Sequence, residues 1–314
     1  MKSRNISLFL ILITVAQLCC KKQETTLYLR YPEDVSITID VPEMELKKPN
    51  LLIFYALPNG NSTAWTMGKR LENGDDWHFD IQHISAQTRF LRQQVNDRNI
   101  IVAYLENDLK SWPSWRRKYP NSSVLIHNIV DSVAAQFPSK DLKIALNGHS
   151  GGGSFIFGYL NGIDKIPNLV ERISFIDSNY GYKDSLCHDE KLIDWLQGSD
   201  NRYLTVYAYN DSIALYKGKS FVSATGGTWY RSKMMIKDLG RSFDFTVDDR
   251  DSLIWYNALE NRIQIILKHN PDRGIYHTEQ VELNGFIHSI LSGTLREEKA
   301  YRYFGQRVYN DFIK

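Results

Sequence analysis

The stretch Leu142-Lys-Ile-Ala-Leu-Asn-Gly-His-Ser-Gly-Gly-Gly153 decides how this chain is read. Ile144, Ala145 and Leu146 close a short apolar strand. Phe155, Ile156, Tyr159 and Leu160 follow the glycines at helical spacing. Between them lies Gly148-His149-Ser150-Gly151-Gly152. A strand that turns straight into a helix crowds its own backbone, so glycine is needed two positions before and after the serine. Such a turn presents Ser150 at the carboxyl edge of a sheet. Its hydroxyl then lies beside a helix N-terminus, whose free N–H groups favour developing negative charge. An ordinary Gly/Ser loop carries the same letters but lacks the apolar strand before them and the apolar helix after them.

In this setting the Gly-x-Ser-x-Gly motif resembles the nucleophile elbow of the α/β-hydrolase superfamily. The resemblance implies an α/β-hydrolase fold: a mostly parallel twisted sheet with helices on both faces. The rest of the chain is patterned accordingly. Leu27–Arg30 and Val35–Val41 alternate like strands around a turn at Pro32-Glu33-Asp34, which predicts an antiparallel N-terminal edge. Apolar runs at Leu51–Leu57, Ile100–Leu105, Ile173–Ile176, Tyr203–Ala208 and Ile263–Leu267 read as buried strands. Ile84, Thr88, Leu91 and Val95 share one helical face, as do Leu283, Phe286, Ile287, Ile290 and Leu291. A helix spans Tyr230–Leu239, and the segment 212–252 around it reads as an insertion or cap.

The chain has 314 residues, of which 43% are hydrophobic, enough for a large core. Its 38 basic and 36 acidic residues give a net charge of +2, so no nucleic-acid partner is expected. Lys2 and Arg4 precede a short apolar run, Ile6 to Leu18, which is too short to span a bilayer and reads as a signal peptide over 1–20. Cys19 and Cys20 follow at once, in the manner of a bacterial lipoprotein signal. The match is partial: Gln17 and Cys19 stand where the motif before Cys20 has leucine and a small residue, and Ala16 and Leu18 where that before Cys19 has them. A plain secretory signal or an uncleaved anchor is the alternative. The expectation is an exported protein of the cell envelope, lipid-anchored at Cys20 or Cys19 or periplasmic. Residues 21–314 are expected to form one domain. Only Cys187 remains there, so its stability rests on the core rather than on disulfides.

A serine hydroxyl needs a base to take its proton, and that base needs an acid to fix its tautomer. The superfamily supplies them in the order serine, acid, histidine. The resemblance therefore implies Asp211, after the strand Tyr203–Ala208, as the acid, with Asp177 at the end of Ser174-Phe-Ile-Asp177 as the alternative. It implies His277 as the base, in the loop between the last strand and the last helix; His269 lies closer to the strand end. His149 is expected to support the nucleophile and His288 to pack. The N–H of Gly151 is expected as one oxyanion donor, with Asn59 or Gly60 supplying the second. Trp112 and Trp115, with Arg116, Arg117 and Lys118, either overhang the site or simply pack on the body. Cys187-His188-Asp189-Glu190 has ligand-type side chains but no zinc-like spacing, so neither metal nor cofactor is expected. The pattern as a whole predicts a serine hydrolase of the carboxylesterase type. Its substrate would be a small-molecule or glycan-linked ester. A serine peptidase on the same fold and a non-catalytic surface lipoprotein are the alternatives.

Overall fold

The computed structural model describes residues 25–314, so the expected signal segment and Cys19 and Cys20 lie outside the described residues. Strands β1 (Thr25–Tyr31), β2 (Val35–Val41), β3 (Asn50–Ala56) and β4 (Asn99–Asn107) come first. Then follow β5 (Lys143–His149), β6 (Val170–Ile176), β7 (Tyr203–Tyr209) and a small hairpin of β8 (Leu215–Tyr216) and β9 (Lys219–Ser220). β10 (Thr246–Arg250), β11 (Leu253–Ala258) and β12 (Ile263–Lys268) complete the strands. All except β8 and β9 join one ten-stranded sheet in the order β1-β2-β4-β3-β5-β6-β7-β12-β11-β10. The pairings from β4 to β12 are parallel. The expected antiparallel edge is present at β1–β2–β4.

Helices α1 (Thr63–Met67), α2 (Ile84–Gln94), α3 (Trp112–Lys118), α4 (Ser122–Ala134) and α5 (Gly153–Asn161) alternate with the early strands. α6 (His188–Gln197), α7 (Thr228–Leu239), α8 (Glu279–Glu282) and α9 (Gly285–Leu291) follow. The period of two along β3 explains the layering. Leu52, Phe54 and Ala56 face one core with Trp115, Ile126 and Phe155, while Leu51, Ile53 and Tyr55 face a second core with Ile84, Phe90 and Phe286. Each large aliphatic or phenyl side chain among them, fully buried, contributes about 1.5–3 kcal/mol.

The segment 212–252 differs from a simple insertion. Met235 and Leu239 of α7 are buried in the first core, so α7 is the crossover helix that parallel β7 and β12 require. The additional piece is the stretch between β7 and α7 that carries the β8–β9 hairpin. Beyond it, β10 and β11 form a second antiparallel edge that the strand reading did not contain. β10 carries Asp248, Asp249 and Arg250 and is exposed throughout, so its sequence has no buried alternation to detect.

Candidate active site

The chain runs from β3 to β4 on one side and then from β4 across to β5 on the other. This reversal opens a crevice at the carboxyl ends of β3 and β5, where ligands of open α/β sheets bind. Ser150 sits there, directly after β5. Its φ is +54°, a left-handed conformation that a residue with a side chain adopts only under constraint. A Cβ on Gly148 would come within 2.9 Å of the Gly152 carbonyl carbon, and one on Gly152 would collide with the Ala56 carbonyl oxygen. Both glycines are thus required by the sharpness of the turn. Ser150 is half-buried and leads through one 3₁₀ turn into the N-terminus of α5.

His277 reaches this edge from the long connection after β12. Asn270 pins that connection by donating to the Asn210 and Gly274 carbonyls, both at 2.9 Å. His149 Nε2 donates to the His277 backbone carbonyl at 3.0 Å, and the two rings lie 4.6 Å apart. Burial, and then the neighbouring His277, hold the His149 imidazole well below its ordinary pKa. It stays neutral and serves as a brace between the residue before Ser150 and the candidate base.

The carboxylate that meets His277 is Asp177, not Asp211. Asp177 Oδ2 accepts from His277 Nδ1, and Asp177 Oδ1 accepts from the Thr228 hydroxyl. With Nδ1 donating, Nε2 is the nitrogen left to receive a proton. Asp177 is fully buried and has φ +43° directly after β6, the strand beside β5. Its N–H donates to Tyr207 O at 2.8 Å, and Ser178 Oγ donates to Gly148 O at 2.8 Å, which ties this turn to the elbow. Asp211 lies one strand further away. Its Oδ2 accepts the Thr228 N–H at 2.8 Å and lies 3.2 Å from the Thr228 hydroxyl, at the start of α7. Gly227, the cap of α7, has no side chain to satisfy those amides, and Asp211 takes the role instead. Burial, and then the neighbouring Asp177, push the Asp211 carboxyl up to about 6.

The oxyanion candidates separate cleanly. The Gly60 N–H is committed to Lys110 O at 2.8 Å, which removes Gly60 as a donor. Asn59 lies against Gly151: a Cβ on Gly151 would collide with the Asn59 side chain. Gly151 and Asn59 therefore face each other across the β3–β5 crevice.

A cavity of about 320 Å³ adjoins His277. Tyr180, Tyr209, Tyr216 and Phe221 supply its aromatic walls, with Ile275 and Val222 beside them and Asp211 as its carboxylate. Tyr180, Tyr216, Phe221 and Ile275 are all exposed, so this is a concentrated apolar patch at the site's rim. No single residue of the wall carried a sequence signal, since its members come from four separate segments. Trp112 and Trp115 are fully buried, with Arg116 bonded to Ser154 O at 3.0 Å and Lys118 to Asp34 at 2.5 Å, so this stretch packs on the body. His288 is buried against Tyr301 and Gln264, and His269 pairs with Asp249 at the β10 edge. Among the described residues no group of three or more His, Cys, Asp or Glu side chains is placed to hold a metal ion.

No family model matches the chain, and no curated protein matches it in sequence. Solved structures do. A feruloyl esterase module from Clostridium thermocellum, complexed with sinapinate, aligns over 90% of this chain and 90% of its own, with 9% identity and a TM-score of 0.51. A poly(aspartic acid) hydrolase from a Sphingomonas species (85% and 98% covered, 12% identity, TM-score 0.47) aligns more loosely. So does an acetyl xylan esterase from Aspergillus awamori (79% and 92% covered, 13% identity, TM-score 0.42). At such identities the likeness speaks for the fold, which is that of the α/β-hydrolases.

Proposed function

We propose that the chain is a serine hydrolase cleaving carboxylic esters, with Ser150 as nucleophile, His277 as base and Asp177 as the acid that orients it. Ser150 Oγ attacks the acyl carbon while His277 Nε2 takes its proton. The Nδ1–H bond to Asp177 holds the imidazole in the required tautomer and stabilises the imidazolium. The backbone N–H groups of Gly151 and Asn59 hold the oxyanion, each worth about 3 kcal/mol. His277 then returns the proton to the leaving alcohol, and water releases the acyl-enzyme by the same route in reverse. The observation that carries this reading is the His277–Asp177 pair braced by His149 onto a serine held at φ +54° on a strand-to-helix turn.

The test is turnover of 4-nitrophenyl acetate. Ser150→Ala is expected to lose about 10⁴-fold or more in kcat. A variant that keeps wild-type turnover overturns the reading. The signal-like leader extends the proposal to the cell envelope, with a lipid on Cys19 or Cys20. Replacing both cysteines is then expected to move the protein from the membrane fraction to the soluble one, and an unchanged distribution refutes the anchor.

A further inference from the structure

We infer that the amino edge of the sheet is a bilayer-contact face, on which Leu46 and Leu295 enter the lipid surface while the catalytic edge points into water. This goes beyond the esterase reading and rests on its extension to the envelope, the lipid on Cys19 or Cys20. Leu46 is 99% exposed and Leu295 94%, the two most exposed large hydrophobic side chains among the described residues. They are far apart in sequence, and the fold brings them to one edge. β2 runs antiparallel to β4 and β3 parallel to it, so the loop between β2 and β3 that carries Leu46 lies at the amino end of β4. Asn99, the first residue of β4, pins that loop: its Oδ1 accepts the Glu45 N–H at 3.0 Å, and its side-chain amide donates to Glu45 O at 3.1 Å. Arg296, next to Leu295, pairs with Asp97 at 3.2 Å and donates to Gln94 O at 3.1 Å. Both loops therefore flank the turn from α2 into β4. A cavity of about 400 Å³ has Pro49 of the first loop and Thr294 and Arg296 of the second in its wall.

The chain's own tether selects the occupant. β1 pairs antiparallel with β2, which puts Thr25 beside Val41 at this same edge. Cys20 is five residues before Thr25, at most about 18 Å of extended chain. A lipid on either cysteine thus holds the amino edge close to the membrane. The length of β5 carries Ser150 roughly 20 Å away from that edge, and Asp177 and His277 lie with it at the carboxyl end. The rival apolar face is the aromatic mouth with Tyr216 and Phe221, which adjoins His277 at the end remote from the tether. Lone leucines on charged loops also suit lipid better than a protein surface. Acyl chains close around any shape, whereas a protein interface needs a packed, complementary core. Glu45 and Lys47 flank Leu46, and Arg296 follows Leu295, so the charged groups stay among the headgroups while each leucine sinks below them. Charges of both signs are present, so the contact draws on leucine burial rather than on net charge. An active site so placed takes esters that arrive through water, not lipids of the membrane it stands on.

The test is amide hydrogen exchange of the protein expressed from its full chain, on phosphatidylcholine vesicles and free in solution as Cys19→Ser/Cys20→Ser. On vesicles, loops 42–49 and 293–299 are expected to exchange at least about threefold more slowly, with segment 215–222 unchanged. Leu46→Ser combined with Leu295→Ser is expected to return both loops to the solution rate. It is expected to leave kcat/KM on 4-nitrophenyl acetate within about twofold of wild type, since neither residue is near the catalytic edge. Slowed exchange at 215–222 with the two loops unchanged overturns the inference, because the catalytic mouth would then face the bilayer. Equal rates everywhere overturn it, as does loop protection that survives both leucine substitutions. A wild-type chain that does not bind vesicles overturns it too, and turnover of 4-nitrophenyl acetate by that chain would leave the esterase reading standing. If the Cys19→Ser/Cys20→Ser chain binds added vesicles through the same two loops, the contact face stands and the lipid anchor falls.

Discussion

Ser150, Asp177 and His277 are each held in place by the backbone as much as by side chains. Ser150 and Asp177 both sit at positive φ, and His277 is tied through its carbonyl to His149. Two aspartates lie on Thr228, and only Asp177 engages the histidine. Their difference gives a prediction. The Asp211 carboxyl is raised to about 6 by burial and by Asp177, against an ordinary value of 3.8. The folded state therefore binds a proton more tightly than the unfolded state. Wild type gains stability from this group as pH falls from about 6 toward 4 and loses it as pH rises. Asp211→Asn has no such titration. Its stability relative to wild type is expected to be greater at pH 8 than at pH 4, by on the order of 3 kcal/mol, read from urea unfolding at both values. Equal differences at the two pH values would show that Asp211 is not strained. The choice between Asp177 and Asp211 was open in the sequence because both follow strands in suitable loops. What separates their contacts is that α7 begins at Gly227-Thr228 with no cap of its own and draws Asp211 to its amides, a contact between residues 17 apart in the chain, while Asp177 reaches His277.

At the scale of elements, the elbow was the most legible part of the chain. A buried strand, two required glycines and an apolar helix all fall within Leu142–Leu160, so local physics specifies the turn. Gly152→Ala tests that account. The added methyl meets a backbone carbonyl of β3, which cannot rotate away, so the variant is expected to lose about 1–3 kcal/mol of stability by denaturant unfolding. Unchanged unfolding would mean the elbow has more room than its geometry shows. The cavity wall was illegible for the opposite reason. Tyr180, Tyr209, Tyr216 and Ile275 come from four separate segments, the ends of β7 and β8 among them, and meet only once the sheet has formed, so no single stretch carries a period that reveals the wall. The β8–β9 hairpin is two residues per strand, below any length that alternation can reveal.

The whole molecule is a sheet whose parallel centre was visible as apolar runs and whose outer edges were less so. β10 has no buried side, and the residues after α9 have no regular structure beyond one 3₁₀ turn at Asn310–Phe312, yet Tyr301, Tyr303 and Tyr309 are buried against the second core. Tyr309 also donates to the Glu282 carbonyl at 2.7 Å, and Arg307 bridges Asp80 and Glu282. This tail therefore closes the face that carries α2 and α9. Tyr309→Ala is expected to cost about 3–5 kcal/mol, as for other large buried aromatics. A loss below about 1 kcal/mol in urea unfolding would place the tail outside the cooperative core. The same sheet brings residues 150, 177 and 277 to one edge, although they lie 27 and 100 positions apart. The most direct measurement is the rate of Ser150 labelling by a fluorophosphonate in wild type and in Asp177→Asn. Removing the acid that fixes the His277 tautomer is expected to slow labelling by about 10³-fold or more. Labelling of Asp177→Asn at the wild-type rate would contradict the account.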